Sequence, residues 1–142
     1  NSRINEKLGK INKSFFRGRT SQIGNFVSEK EPSIADDPEI VSAFYGAPTV
    51  VTLFGPRNFL YTEADCWIMA SGIALAARSI GVGSCILGRA EETFETDFGK
   101  QTQASWGIRE DYEAKVHILL GYPAGGWPDA KDRTYPNPVV IR

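Results

Sequence analysis

Between Ala64 and Ile80 the chain reads ADCWIMASGIALAARSI, apolar or small on almost every helical face. A helix with no polar stripe has no side to offer to water, so it must be central and covered by neighbours on several sides. Thr62 stands where a side chain can cap that helix, and Asp65 suits the positive end of its first turn. Gly81 occupies the expected left-handed stop. The small residues Ala70, Ser71, Gly72, Ala74, Ala76 and Ala77 allow other backbones to approach closely. The run is interrupted by Asp65 and bounded by Glu63 and Arg78, too short and too charged to cross a bilayer.

The residues after this helix look like a nucleotide loop and are not one. Gly81-Val82-Gly83 would open a G-x-G-x-x-G fingerprint, but Ile86 holds the third glycine's place and the next glycine is Gly88. The order of elements is also reversed, with the helix first and an apolar strand, Ser84 to Leu87, after it.

Elsewhere the patterns alternate. Ile4, Leu8, Ile11 and Phe15 recur at helical spacing and predict an amphipathic helix over 2–16. SFFRGRTSQIGN then reads as a polar loop with a solvated or partner-facing surface. Asp36, Asp37 and Pro38 signal a short helix stopping at Gly46. APTVVTLFG (47–55) reads as a buried strand. Phe94 and Phe98 anchor a brief helix closed by Gly99, and Trp106-Gly107-Ile108 forms a turn. Lys115 to Leu120 reads as a central strand ending at Gly121. Residues 122–142 hold four of the eight prolines and form an extended arm that finishes in a strand-like Pro138-Val139-Val140-Ile141. Few internal strands separated by helices mean an α+β or α/β domain. A terminal strand on such an arm has too few partners in its own chain, which favours a second subunit.

The 142 residues suit a single domain. Sixteen basic against seventeen acidic side chains give a net charge of −1, which argues against nucleic acid or an anionic membrane as the partner. Cys66 and Cys85, with no C-x-x-C, read as reduced thiols in a cytoplasmic protein, and no signal peptide is visible. The chain begins with Asn, so it is expected to be processed or a piece of a longer protein.

Its own side chains offer little chemistry. His117, the only histidine, sits in a strand among apolar residues and reads as structural. One histidine and two distant cysteines make no zinc pattern. Cys66 reads as helix core, and Cys85 as a small buried filler before a reactive thiol. Asp36-Asp37 and Glu91-Glu92 suit helix starts better than acid–base pairs. An enzyme of this composition would depend on a cofactor, with the protein binding and orienting it.

Several stretches, in order, resemble the FMN-dependent nitroreductase family: APTVV at 47–51, LAARSIGVGSCILG at 75–88, WGI at 106–108, LLGYPAG at 119–125 and KDR at 131–133. The resemblance covers about residues 40–135. It implies an α+β, three-layer α/β/α domain around a mainly antiparallel sheet, spanning 1–142, with a swapped C-terminal arm at 122–142. It implies a homodimer with FMN at the subunit interface. By position, backbone N–H groups of Cys85, Ile86, Leu87 and Gly88 would reach flavin N5 and O4, and Lys131 and Arg133 would hold the flavin phosphate. A glycine permits close approach to a flat ring, and a donor aimed at N5 stabilises reduced flavin. Phe59 and Tyr61 are candidates for a substrate lid, with core packing as the alternative. The family's opening arginine- and serine-containing segment has no counterpart, and Arg89 stands where an aromatic residue or second glycine is common. The chain is therefore expected to be an N-terminally incomplete member.

The implied activity passes reducing equivalents from NAD(P)H, as co-substrate, to a small-molecule electron acceptor such as a nitroaromatic or a quinone, with alternating kinetics. Two alternatives remain open at this point: a truncated, non-catalytic, dimeric flavin-binding remnant, and a flavoenzyme of the same fold with different chemistry, such as reductive dehalogenation.

Overall fold

The computed structural model describes residues 2–15, 37–127 and 129. Its elements are α1 (Ser2–Ser14), β1 (Thr49–Pro56), α2 (Thr62–Ser79), β2 (Gly83–Leu87), α3 (Ala90–Glu95), α4 (Asp97–Ser105) and β3 (Tyr112–Gly121). β3 is central in a three-stranded antiparallel sheet of order β1-β3-β2, with Val51 opposite Ile118 and Ile86 opposite the same residue from the other side. The architecture is α+β. Of the candidate swapped arm at 122–142, residues 122–127 and 129 are described and the rest lie outside the described residues.

Helices cover both sheet faces and bury a separate core on each. On one face Cys66 and Ala70 of α2 pack against Val116 and Ile118, with Val51, Leu53 and Ile86 around them. On the other, Leu8 of α1, Phe44, and Ala90 and Phe94 of α3 pack against Ala114 and Leu119. A register shift between Leu53 and Phe54 leaves Lys115 as the extra residue of β3. This bulge places Ala114 on the face of Leu119, where strict alternation would have put it with Val116 and Ile118.

Several local expectations hold. α1 and α2 lie where their periodicity put them, and Gly81 ends α2 with φ +77°. Gly107 makes the turn after α4 with φ +72°, and the buried Gln103 pins its far side by donating to Arg109 O and Tyr112 O at 2.8 and 2.9 Å.

Others are corrected. Residues 38–46 form turns and no helix: Asp37 Oδ1 accepts the Glu39 N–H at 2.9 Å, closing a local turn in place of a helical cap. Among the described residues β1 is an edge strand and mostly half-buried, although its apolar run read as a buried strand. Thr62 does not cap α2. It is the first helical residue, and its hydroxyl donates to Pro56 O at 2.7 Å, fastening the helix start to the end of β1. The single brief helix expected around Phe94 and Phe98 is two helices. Gly99 lies inside α4 because α3 crosses it closely: a Cβ there would meet Thr93 O at 2.3 Å.

α2 has two unlike faces. Its inner face is buried at Thr62, Cys66, Ala70 and Ala77, while Ile68 and Leu75 are 71% and 74% exposed. Trp67 and Met69 lie open beside them. Among the described residues of one chain the central helix is covered on one side only.

Candidate functional site

β2 is short, apolar and at the edge of the sheet, so one row of its backbone groups is unpaired among the described residues. Its side chains fasten it from both sides. Ile86 packs with Val116 and Ile118, and Leu87 packs into the opposite core. Immediately beyond, Gly88 has nothing within 4 Å of where a Cβ would sit, which leaves open space beside its backbone. Arg89 follows in the left-handed region, with φ +65° and ψ +28°, and α3 starts at Ala90. A non-glycine residue is costly in this conformation unless its surroundings enforce it.

The surroundings do enforce it. The Nδ2 group of Asn12, on α1, donates to Gly88 O at 3.2 Å and to Arg89 O at 3.0 Å. It also lies 3.0 Å from Thr93 Oγ1, which itself donates to Arg89 O at 2.8 Å. Arg89 Nη1 pairs with Glu92 at 3.2 Å. The sequence carried a sign of Asn12: it is four residues from Leu8, a polar group on the apolar stripe of α1, and both are buried. That sign was passed over in favour of the apolar residues around it.

Cys85 corrects an expectation. It is exposed, and not a buried filler, because among the described residues β2 has no neighbour on its outer side. It borders a shallow cleft of about 380 Å³ lined also by Tyr45, Pro48, Ser84, Gly121 and Tyr122. Cys66 is buried in the α2 core, and burial pushes its thiol up. Both thiols are free.

Phe59 and Tyr61 lie in the loop between β1 and α2, 52% and 58% exposed, with their rings edge to face at 5.9 Å. Core packing is therefore excluded for them. The loop adjoins the end of β1 opposite Tyr112, while Cys85 to Leu87 lie opposite residues 117–119 of β3. The cleft lined by Phe59, Thr62 and Met69 is separate from the one that Cys85 borders. Lys131 and Arg133 lie outside the described residues. The chain approaching them is placed by Arg78, whose guanidinium stacks 3.6 Å over the Trp127 ring at the end of α2.

The remaining titratable groups are structural. His117 is fully buried, with Nδ1 2.8 Å from Thr52 Oγ1 and its ring edge to face with Phe44. Burial lowers its pKa to about 4, so the ring is neutral. A wider cleft of about 780 Å³ lies by Arg57, Glu95 and Lys100, away from residues 85–88. There Glu95 accepts from Arg57 at 2.6 Å and pairs with Lys100 at 3.1 Å. These cations are already spent on a carboxylate.

Solved structures with this arrangement exist. A nitroreductase with bound FMN from Bacteroides fragilis superposes with a TM-score of 0.68 over 99% of this chain and 69% of its own, at 20% identity. The chain has the nitroreductase fold. An FMN-dependent nitroreductase from Clostridium difficile aligns with a TM-score of 0.64 at 23% identity, over 96% of this chain and 74% of that one. Iodotyrosine deiodinase, bound to FMN and 3-iodo-L-tyrosine, shares the nitroreductase fold with a TM-score of 0.52 at 20% identity, over 99% of this chain and 66% of its own. No family model and no curated protein matches the sequence. No helix among the described residues is long and apolar enough to cross a membrane.

Proposed function

We propose that the chain is an FMN-dependent oxidoreductase of the nitroreductase family, acting as a homodimer in the cytoplasm. The observation that carries this reading is the edge strand β2 running, on a nitroreductase fold, into a locked left-handed turn with open space beside Gly88. A flat ring can lie against backbone only where side chains stand aside, and Gly88 provides such a place. The N–H groups of residues 85–88 would face the reducible edge of the ring, and Lys131 and Arg133 its phosphate. Bound there, FMN would supply hydride-level redox chemistry that the side chains lack.

The chain's own part is to bind and to orient. Backbone donors fixed by the sheet and the turn need no reorganisation when charge develops on the ring edge. A second copy on the open face of α2 would exclude water from the ring and bring a partner's Phe59 and Tyr61 into reach as a lid. NAD(P)H and a nitroaromatic or quinone acceptor would then use the same open side in turn. Reductive dehalogenation is the second reading, favoured by the shared fold of iodotyrosine deiodinase.

Purified protein mixed with excess FMN and desalted is expected to retain visible flavin absorbance. Material that keeps no flavin, and releases none on denaturation, would sink the proposal. Oxidation of NADH and NADPH with a nitroaromatic, a quinone or 3-iodo-L-tyrosine then separates the acceptors, and tight flavin without turnover identifies a binding remnant. Charge-assisted hydrogen bonds contribute roughly 1.5–3 kcal/mol each, so Arg133→Ala is expected to weaken FMN by about 10- to 100-fold. Riboflavin, which lacks the phosphate, should be almost unaffected. Equal losses for both ligands would show that Arg133 acts on folding.

A further inference from the structure

We propose that Asn12 is the positioning residue of the flavin-facing turn: its side-chain amide holds the Gly88 and Arg89 carbonyls and so keeps the turn after β2 left-handed. The proposal rests on the flavin reading above and adds to it a residue remote in sequence, on a helix whose Leu8 shares a core with Leu87.

The hydrogen bonds leave little freedom in how the amide is placed. Gly88 O and Arg89 O can only accept, so the nitrogen of Asn12 must face them, and its oxygen faces away. Oδ1 is then buried with no partner among the described residues, in a side chain of 0% exposure. Leucine would fill such a site on the apolar stripe of α1 without burying an unsatisfied oxygen. An asparagine here spends one polar atom to have two donors at the turn.

Those donors act where the backbone is least at ease. Arg89 O accepts from Asn12 Nδ2, from Thr93 Oγ1 and from Thr93 N at 3.3 Å, and it belongs to the residue with φ +65°. Gly88 O shares its peptide plane with the Arg89 N–H. A donor fixed on that oxygen therefore sets the plane's direction and restrains the Gly88 N–H one plane upstream. Without Asn12, Gly88 O loses that donor and Arg89 O keeps the two from Thr93, so the peptide plane between them can tilt and the donors of residues 86–88 lose their common aim.

The test uses the full chain and three variants: Asn12→Ala, Asn12→Ala with Arg89→Gly, and Thr93→Val. The readouts are FMN affinity, the midpoint potential of the bound flavin, and the melting temperature without flavin. Asn12→Ala is expected to weaken FMN about tenfold, riboflavin equally, and to make the potential more negative, because donors to the reduced ring are misaligned. Glycine adopts positive φ without strain, so adding Arg89→Gly should restore part of both the affinity and the potential. Should Asn12→Ala fail to fold, Thr93→Val removes a second donor to Arg89 O at nearly constant volume and must give the same pattern. A lower melting temperature with unchanged affinity and potential overturns the proposal, as does a double variant no better than Asn12→Ala. If the unaltered protein retains no flavin, the flavin reading fails by itself. Amide exchange at Gly88 and Arg89 then decides whether Asn12 holds the turn: faster exchange in Asn12→Ala supports it, and equal exchange refutes it.

Discussion

Replacing Ile68 and Leu75 together with glutamate is expected to convert the proposed dimer to monomer and to abolish the proposed flavin retention. The two residues lie seven apart on one face of α2 and are 71% and 74% exposed in a single chain. Burying one such side chain contributes about 1.5–3 kcal/mol. A two-fold interface buries each residue twice, so the four side chains are comparable in effect to the whole free energy of a micromolar dimer, about 8 kcal/mol. Four carboxylates on a closed interface would also have to be desolvated without partners. Both positions face solvent in the monomer and glutamate is a good helix former, so helical content by circular dichroism should be kept. Sedimentation checks the assembly. If the double variant still sediments as the original dimer, α2 is not the interface, and a flavin site shared between subunits loses its basis.

Acid lability is the second large effect. His117 is buried and neutral, with its pKa lowered from 6.5 to about 4 by desolvation. The unfolded chain binds a proton there below pH 6.5 while the folded chain does not until about 4. Stability is therefore fully present above the unfolded pKa and falls as pH drops through that window, by about 3 kcal/mol in all. Urea unfolding at several pH values should show this slope, and His117→Gln should flatten it. The ion-paired Glu95, whose pKa Arg57 and Lys100 hold down, loses its contribution only at lower pH, so it does not imitate the effect. A variant with the same slope as the original protein would mean that the proton is taken up elsewhere.

The sequence spoke most clearly where one physical demand acted alone. The long apolar run of α2 and its glycine stop were readable because no loop or strand has that pattern. The pattern demands cover on several sides without saying which chain supplies it, and among the described residues Ile68 and Leu75 remain open. Asp37 failed as a helix start because its carboxylate is equally good at closing a local turn, and nothing in the sequence ranks the two. Gly99 failed as a stop because glycine serves close helix crossing as well as chain reversal. At the candidate site, residues 85–88 are proposed through the resemblance. Asn12 was missed because its partners are 76 and 77 residues away, a distance over which periodicity carries no information.

The bulge at Lys115 also divides β3 into two phases. From Val116 onward the strand keeps one alternation of faces, and before Lys115 it keeps the opposite one. Loss of that single codon would leave a regular strand with both cores intact: Ala114 and Val116 would become neighbours on opposite faces, still opposite Phe54 and Leu53. The loss falls on Lys115 itself, whose amine pairs with Glu113 at 3.0 Å and with Glu91 at 3.6 Å. Relatives should therefore tolerate deletion at 115 far better than deletion within 116–119, which would turn core residues to the wrong face. Compensated length changes should cluster in the turn at 106–111, where Gly107 and the clasp of Gln103 can absorb a shift without passing it to the sheet.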